Sequence, residues 1–162
     1  MIDIVDFDGE MFSLGFTKIY HKRDFNIAFA ADNVRRLAED RNIDILFNIE
    51  SVNKGRNLVT RNSGLNDVIC KLASKNNVAI GFSISNLLNN RDRTNIIANI
   101  SQNIRLCRKY KVRMVIASLA KDKYGMRHAR DMMNFGMVLG MTDNEAKEAL
   151  NFKKKEIMPR FV

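Results

Sequence analysis

The 162-residue sequence has no tryptophan, one proline, two histidines and two cysteines. Hydrolytic metal centres on a barrel need several histidine ligands, and His21 and His128 form no His-x-His motif, which argues against a multi-metal phosphoesterase. Cys70 and Cys107 have no histidine beside them. The sequence therefore predicts reduced, half-buried thiols in a cytosolic protein, and neither a metal site nor a disulfide framework.

Long apolar runs are also missing. No stretch of about 18 apolar residues occurs, so no transmembrane helix is predicted. The first ten residues, MIDIVDFDGE, are acidic and lack the basic and then apolar segments of a signal peptide. Hydrophobic residues make up 46% of the chain, which is enough for a core, and the length suits one domain. We therefore expect a single cytoplasmic α/β domain over 1–162, with a basic, aperiodic tail over 151–162.

Positive charge is what the sequence has in excess, and most of it lies in one region. The formal net charge is +9 and the pI is about 9.8, which favours an anionic partner such as nucleic acid. Nine basic residues and a single acidic residue, Asp122, lie between positions 105 and 130. The nine are Arg105, Arg108, Lys109, Lys111, Arg113, Lys121, Lys123, Arg127 and Arg130. This region is either a nucleic-acid-binding surface or a solvated basic face.

Strand and helix patterns alternate along the chain after residue 30. The patterns predict strands over 2–7, 16–21, 43–49, 78–84 and 112–118. They also predict a polar loop over 55–62 and helices over 31–41, 65–75, 96–110, 126–139 and 142–150, the last with a Thr-Asp-Asn-Glu capping box. Such alternation indicates βαβ units around a parallel sheet. A closed eight-stranded barrel needs about 250 residues, so five strands fall short of closure.

An acidic motif follows the first predicted strand. The tetrapeptide DFDG at 6–9 resembles the first motif of haloacid-dehalogenase phosphohydrolases, in which the first Asp is the nucleophile and the second is the acid/base. That family continues with Thr or Val, whereas Glu10 follows here, and no convincing acidic pair for magnesium occurs downstream. A strand that ends in a polar turn is the simpler explanation. A small Mg-dependent phosphohydrolase using Asp6 and Asp8 is the alternative function.

The stretch YGMRHARDMMNFG at 124–136 joins a charged start to an apolar continuation. Asp131 follows Arg127 by four residues, so the two side chains can pair on one face of a helix. The start of this helix follows the strand predicted to end at Ser118, and α/β proteins bind ligands at that end of their strands. The apolar residues leave almost no polar side, so this half is expected to be buried. They are Met132, Met133, Phe135, Met137, Val138 and Leu139.

Two interpretations of this helix start remain open. Arg127 and Arg130, with Lys121 and Lys123 nearby, would hold a phosphate at the helix N-terminus. Alternatively, Arg127 and its acidic neighbour lock the loop without contacting a ligand. We expect His128 to cap the helix start or to hydrogen-bond there, and not to act as a general base.

Six short segments follow one another in a recognisable order. They are 81–88 (GFSISNLL), 91–93 (RDR), 103–110 (NIRLCRKY), 117–118 (AS), 127–131 (RHARD) and 139–141 (LGM). Together they resemble archaeal ribonuclease P protein component 3, the relative of the eukaryotic thirty-kilodalton ribonuclease P subunit. The resemblance is strong from 78 to 150 and looser from 31 to 77. Each segment alone is unspecific, whereas the ordered set is specific.

The resemblance implies a TIM-barrel-like βα repeat, related to polymerase-and-histidinol-phosphatase domains but lacking their metal ligands. It implies a non-catalytic subunit of ribonuclease P, the endonuclease that removes the five-prime leader of precursor tRNA and whose RNA carries the catalysis. The implied partners are ribonuclease P RNA and protein component 2, with a second copy of the chain in a heterotetramer. No cofactor is expected on the chain, and magnesium is expected on the partner RNA.

The resemblance and the charge together predict site residues, none of them catalytic or metal-binding. Arg127 and Asp131 match the Arg-x-x-Arg-Asp element of the family and are expected to form a structural lock. Family members usually carry more β/α units before the segment matching residue 31, so the barrel is expected to be incomplete or abbreviated at the N-terminus. A partner or a second copy would then cover its open edge. The predicted RNA contacts are Arg91, Arg93, Arg105, Arg108, Lys109, Lys111, Arg113, Lys121, Lys123, Arg127 and Arg130.

Overall fold

The computed structural model of the chain describes residues 1–52 and 62–153. The predicted polar loop lies outside these residues except for its last position, and so does most of the predicted basic tail. Six strands occur within the described ranges, one more than the sequence patterns predict. They are β1 (Ile2–Val5), β2 (Lys18–His21), β3 (Ile27–Phe29), β4 (Ile45–Phe47), β5 (Ala79–Ser83) and β6 (Met114–Ala117).

The strands are parallel and follow one another around an open ring. They belong to two sheets, β1-β2 and β3-β4-β5-β6. β1 lies beside the end of β6, as two backbone hydrogen bonds show. The amide of Leu119 donates to the carbonyl of Ile4 at 2.9 Å, and the amide of Asp6 donates to the carbonyl of Ala120 at 2.7 Å. The spatial order is therefore β2-β1-β6-β5-β4-β3, as in a TIM-like barrel. Among the described strands, β2 and β3 form no ladder, so the ring is open there.

Six α-helices occur in the described part of the chain. They are α1 (Val34–Glu39), α2 (Asp67–Asn76), α3 (Ile84–Asn89), α4 (Arg93–Tyr110), α5 (Ala129–Val138) and α6 (Asp143–Ala149). The predicted capping box starts α6: the Thr142 hydroxyl accepts from the amide of Glu145 at 3.2 Å, and the Glu145 carboxylate accepts from the amide of Thr142 at 2.8 Å. None of these helices is long and apolar enough to cross a lipid bilayer.

Three elements differ from the sequence patterns. β3 was not predicted because it has only three residues and depends on pairing with β4. α3 was not predicted either: it is six residues long and starts where the Ser83 hydroxyl accepts from the amide of Asn86 at 3.2 Å. Elements this short show no clear period in the sequence. α5 begins at Ala129 and not at 126, because Met126 and His128 have extended backbones.

Both faces of the sheet are buried, and successive residues of a strand pack on opposite sides. On β4, Ile45 and Phe47 point into the ring while Leu46 packs against the helices. Gly81 of β5 leaves room for this arrangement, because a side chain there would overlap the Phe47 ring. The cluster inside the ring consists of Ile4, Phe25, Ile45, Phe47, Ala79, Val115, Ala117, Leu119 and Phe152.

Candidate nucleic-acid interface

The strands all end at one edge of the ring, which we call the carboxyl edge, and a pocket of about 200 Å³ lies there. Residues at or after the ends of β1, β3, β4, β5 and β6, together with α3, form its wall. Asp6 and Lys121 are the wall residues that were predicted as site residues, and the segment 81–88, which carries part of the family resemblance, supplies three more. The lining residues are Asp6, Phe29, Asn48, Ser83, Ser85, Asn86, Asn89, Leu119 and Lys121.

A buried carboxylate fixes the wall of this pocket. Nδ2 of Asn86 donates to Oε1 of Glu50 at 2.5 Å and to Oγ of Ser51 at 3.0 Å. From α4, Nδ2 of Asn99 donates to the backbone carbonyl of Glu50 at 2.9 Å. Glu50 is 1% exposed, and this burial raises the pKa of its carboxyl group. These bonds hold α3 and α4 against the turn that follows β4.

The basic residues that cluster in the sequence do not form one cluster in space. α4 has 18 residues and is therefore about 27 Å long. It starts at the carboxyl edge and runs to the opposite edge, where β6 begins; we call this the amino edge. The carboxyl-edge cations are Arg91, Arg93, Lys121, Lys123, Arg127 and Arg130. The amino-edge cations are Arg105, Arg108, Lys109, Lys111 and Arg113.

Three amino-edge cations contact other parts of the chain, and the weakest contact is that of Lys109, whose Nζ lies 3.9 Å from Oδ2 of Asp67. Arg108 donates to both carboxylate oxygens of Glu145, at 2.7 and 2.6 Å, and to the carbonyl of Gly140 at 2.7 Å. Arg113 donates to the carbonyl of Asn77 at 2.8 Å and lies 4.9 Å from the centre of the Phe152 ring. Partial burial lowers the pKa of the Arg113 guanidinium. Both arginines therefore have a structural role that the sequence did not reveal.

Glu145→Gln is expected to lower the free energy of unfolding by about 1 kcal/mol at pH 7, because it removes a two-pronged ion pair that is partly exposed. The hydrogen bond from Arg108 is the main reason that the pKa of Glu145 is lowered to about 2. A carboxylate with a lowered folded-state pKa stabilises the protein above its unfolded pKa. The difference from wild type should therefore shrink as the pH falls from the ordinary glutamate range towards 2, in urea unfolding at several pH values.

Asp143→Asn is the matched control for this prediction. Asp143 pairs with Lys147 at 2.6 Å in the same helix, but both side chains are 53% exposed. Such a pair contributes only a few tenths of a kcal/mol, about 0.3–0.5. An equal loss of stability in both variants would mean that the hydrogen bonds from Arg108 add no stability beyond that of a negative charge in the first turn of α6.

Three carboxyl-edge cations are exposed, and their side chains form neither an ion pair nor a hydrogen bond with any described residue. They are Arg91, Lys121 and Arg130. Arg93 is exposed as well, and its guanidinium donates to the carbonyl of Leu88 at 2.7 Å. Unpaired surface cations keep their full charge for a phosphate, whereas Arg108 and Arg113 at the amino edge are occupied by other parts of the chain. Arg105 and Lys111 of the amino edge are exposed and form no ion pair with a described residue either.

Aromatic side chains accompany the charge at the carboxyl edge. Nζ of Lys123 lies 5.7 Å from the centre of the Phe12 ring and 5.4 Å from the centre of the Tyr124 ring. Tyr124 is 78% exposed and Phe12 is 44% exposed. Exposed rings beside cations are the groups on which unpaired bases stack. Phe12 was not recognised from the sequence because it lies 93 positions before the start of the basic region at Arg105.

The start of α5 is held in a different way from the predicted lock. The Arg127 guanidinium donates to the carbonyls of Tyr124 and Met126, at 3.1 and 2.8 Å. Among the residues that the structure describes, it forms no ion pair with Asp131. Nδ1 of His128 accepts from the amide of Arg130 at 3.2 Å, which is the capping role expected for this histidine.

The apolar half of α5 is less buried than its sequence indicates. Met132 and Leu139 are buried, as expected. Met133 and Phe135 are only half-buried, and Val138 is 85% exposed. The expectation of full burial was therefore wrong for the outer side, because β6 and α6, the main described elements packed against this helix, lie on its other side.

The two carboxylates of the alternative phosphohydrolase are paired with cations from the segment after β2. Lys22 lies 2.7 Å from Asp6, and Arg23 forms an ion pair with Asp8. Within residues 1–52 and 62–153, no group of three or more His, Cys, Asp or Glu side chains is placed to hold a metal ion. The alternative function is not favoured.

Both cysteines are free and buried. Burial raises the pKa of the Cys70 thiol to about 11 and that of Cys107 well above its ordinary value. The two thiols are therefore more deeply buried than the expected half-burial. Both belong to the layer between the sheet and the helices.

Comparisons with known proteins agree with one family. The family model described as RNase P subunit p30 matches residues 17–160. The chain is 35% identical over 102 residues to ribonuclease P protein component 3 of Methanosarcina mazei, covering 62% of this chain and 43% of that protein. It is 32% identical over 133 residues to the component 3 of Methanosarcina barkeri, covering 80% and 52% respectively. The chain thus spans about half the length of the curated relatives it matches.

A solved structure has the same fold. One chain in the cryo-EM structure of archaeal ribonuclease P with mature tRNA superposes with a TM-score of 0.70 at 20% sequence identity. The match covers 93% of this chain and 87% of that one. At this identity the similarity shows the fold, and it agrees with the open ring of parallel strands.

Proposed function

The chain belongs to the RNase P subunit p30 family, and from that membership we propose that it is a non-catalytic protein subunit of ribonuclease P. In this role it binds and stabilises the catalytic RNA for removal of the five-prime leader of precursor tRNA. The match of the family model to residues 17–160 is the observation that carries the proposal. Catalysis and its magnesium belong to the RNA, and the chain itself holds no cofactor.

The unpaired cations of the carboxyl edge support RNA binding. Lys and Arg side chains neutralise phosphates and release their counterions, which gives affinity without reading the sequence. Arg91, Lys121 and Arg130 are exposed and have no ionic partner within the described ranges. Arg108 and Arg113, by contrast, hold the fold together. The carboxyl edge also carries the exposed rings of Phe12 and Tyr124 beside its cations, so we assign the RNA-facing surface to this edge.

A protein partner belongs to this proposal as well. The ring is open between β2 and β3, and no other described strand covers the free edges of these two strands. An uncovered strand edge offers backbone groups to another chain. Protein component 2, or a second copy of the chain in a heterotetramer, would cover this opening. We place this assembly in the cytoplasm.

Reconstituted cleavage of precursor tRNA tests the proposal. The cognate ribonuclease P RNA and component 2 are assayed at moderate magnesium with and without this chain. We expect stimulation by the chain in the mixture and no cleavage by the chain alone. A folded chain that binds component 2 but does not stimulate cleavage would contradict the proposal.

A further inference from the structure

The pocket at the carboxyl edge is small and has a wall of mixed apolar and polar groups. Its volume is about 200 Å³. Pockets for drug-sized ligands measure about 300–1,000 Å³, so this one suits a smaller planar group. Its wall contains one exposed aromatic ring, one cation and several amide and hydroxyl groups.

The aromatic ring is held in place from behind. Phe29 is 44% exposed, and its ring lies 6.2 Å from that of Phe47 in a stacked arrangement with an interplanar angle of 29°. Phe47 is fully buried, and its ring fills the space that a side chain at position 81 would need, so Gly81 is packed directly against it. Phe29 therefore has one face against a fixed ring while part of its surface is open to the pocket. A planar base stacked on Phe29 would continue this stack.

Two asparagine side chains of the pocket lack hydrogen-bond partners among the described residues. Asn48 has a left-handed backbone with φ of 64°, and its Oδ1 is buried without a hydrogen-bond partner in the described part of the chain. Asn89 is exposed, and no described residue bonds to its side chain. A buried acceptor without a donor is costly, and a bound N–H group would satisfy it. Asn86, by comparison, is already bonded to Glu50 and Ser51.

Lys121 supplies the charge at the rim. It is exposed, it lines the pocket, and it forms no ion pair with a described residue. Asp6, the one carboxylate in the wall, is neutralised by Lys22 at 2.7 Å. The pocket therefore attracts an anionic group at the side of Lys121 and a hydrogen-bonding planar group at Phe29 and Asn48.

We propose that this pocket binds one unstacked nucleotide, with its base on Phe29, its N–H groups towards Asn48 and its phosphate at Lys121. The ligand is either a nucleotide that is flipped out of an RNA strand or a free mononucleotide. The first source rests on the proposed function, whereas the second does not depend on it.

Titration of the full chain with free nucleotides tests the pocket first. The four nucleoside monophosphates are added to 15N-labelled chain, with ribose 5-phosphate as the ligand that lacks a base. We expect at least one nucleotide to bind with a dissociation constant below about 1 mM, shifting the side-chain amides of Asn48 and Asn89. Ribose 5-phosphate should bind at least about fivefold more weakly, because it lacks the base that stacks.

Variants separate the parts of the site. Phe29→Ala should weaken nucleotide binding about tenfold through the lost stacking. Asn48→Gly keeps the left-handed backbone while removing the buried acceptor, and it too should weaken binding. Lys121→Ala should make binding less sensitive to salt. Lys75→Ala, an exposed lysine at the other end of the ring, is the matched control and should change nothing.

The outcomes are distinct. No saturable binding by any of the four nucleotides, equal affinity for ribose 5-phosphate, or equal affinity in the Phe29 and Asn48 variants would overturn the proposal. Competition between a mononucleotide and a single-stranded RNA oligonucleotide, lost in Phe29→Ala, identifies RNA as the source. Nucleotide binding without such competition identifies the free nucleotide. Cleavage stimulation is measured separately, so failure of the subunit role and failure of the pocket give different results.

Discussion

Replacing Arg91, Lys121 and Arg130 together by alanine is expected to weaken RNA binding on the order of 10²-fold at about 0.1 M salt. The three side chains are exposed and have no ionic partner in the described residues, so their removal should cost little stability. Each lost phosphate contact should also reduce the slope of log affinity against log salt by about 0.7–0.9, so the slope should fall by about two to three units. Filter or fluorescence binding to ribonuclease P RNA at several salt concentrations measures both quantities.

A triple variant at the other end of α4 is the matched control. Lys75, Arg105 and Lys111 carry the same total charge, are exposed and form no ion pair with a described residue, but they lie at the amino edge. Their replacement by alanine changes net charge equally, so a purely non-specific effect of charge would appear in both variants. A loss of affinity in the amino-edge variant as large as in the carboxyl-edge variant would contradict the assignment of the RNA surface to the carboxyl edge.

The contrast between these two variants was not visible in the sequence. The density of basic residues over 105–130 indicated one surface, and the family resemblance to ribonuclease P subunits, which the family match confirms, gave it a partner. Position along the chain does not give position in space here, because β6 lies between the two halves of the region and carries the chain from the amino edge to the carboxyl edge. Arg108 illustrates the point, because its partner Glu145 follows 37 residues later.

The fold was predicted best where a repeating hydrophobic pattern extended over many residues. The helix predicted over 96–110 is α4, and the capping box correctly marked the start of α6. β3 and α3 were missed because they depend on tertiary contacts and caps, and not on a repeating pattern. The pocket was missed for a related reason. Phe29, Asn48 and Asn89 come from three elements, and only the sheet brings them together.

A buried carboxylate adds a side-chain link between the first strand and the end of β6. Asp3 is fully buried in β1, and its Oδ1 accepts from the amides of Ile4 and Ser118, both at 2.8 Å. Its Oδ2 is buried with no hydrogen-bond partner in the described part of the chain. Burial is the main reason that the pKa of Asp3 is raised. Asp3 therefore provides a useful acceptor together with a costly buried charge.

Two substitutions at Asp3 should have opposite consequences. Asp3→Ala leaves two buried amides without an acceptor and is expected to lower the free energy of unfolding by about 2–5 kcal/mol. Asp3→Asn keeps one acceptor oxygen and removes the charge, so its stability at pH 7 should match or exceed that of wild type. Urea unfolding of the three proteins measures the difference.

The pH dependence of this pair distinguishes the acceptor from the charge. An acid whose folded-state pKa is raised costs stability as the pH rises through that pKa, because the folded protein must then bury the charge. The advantage of Asp3→Asn over wild type should therefore grow with rising pH and vanish in acid, where Asp3 is protonated. A deficit of Asp3→Asn at pH 7 as large as that of Asp3→Ala would contradict this account, because it would mean that the charge strengthens the hydrogen bonds from the Ile4 and Ser118 amides by more than its burial costs.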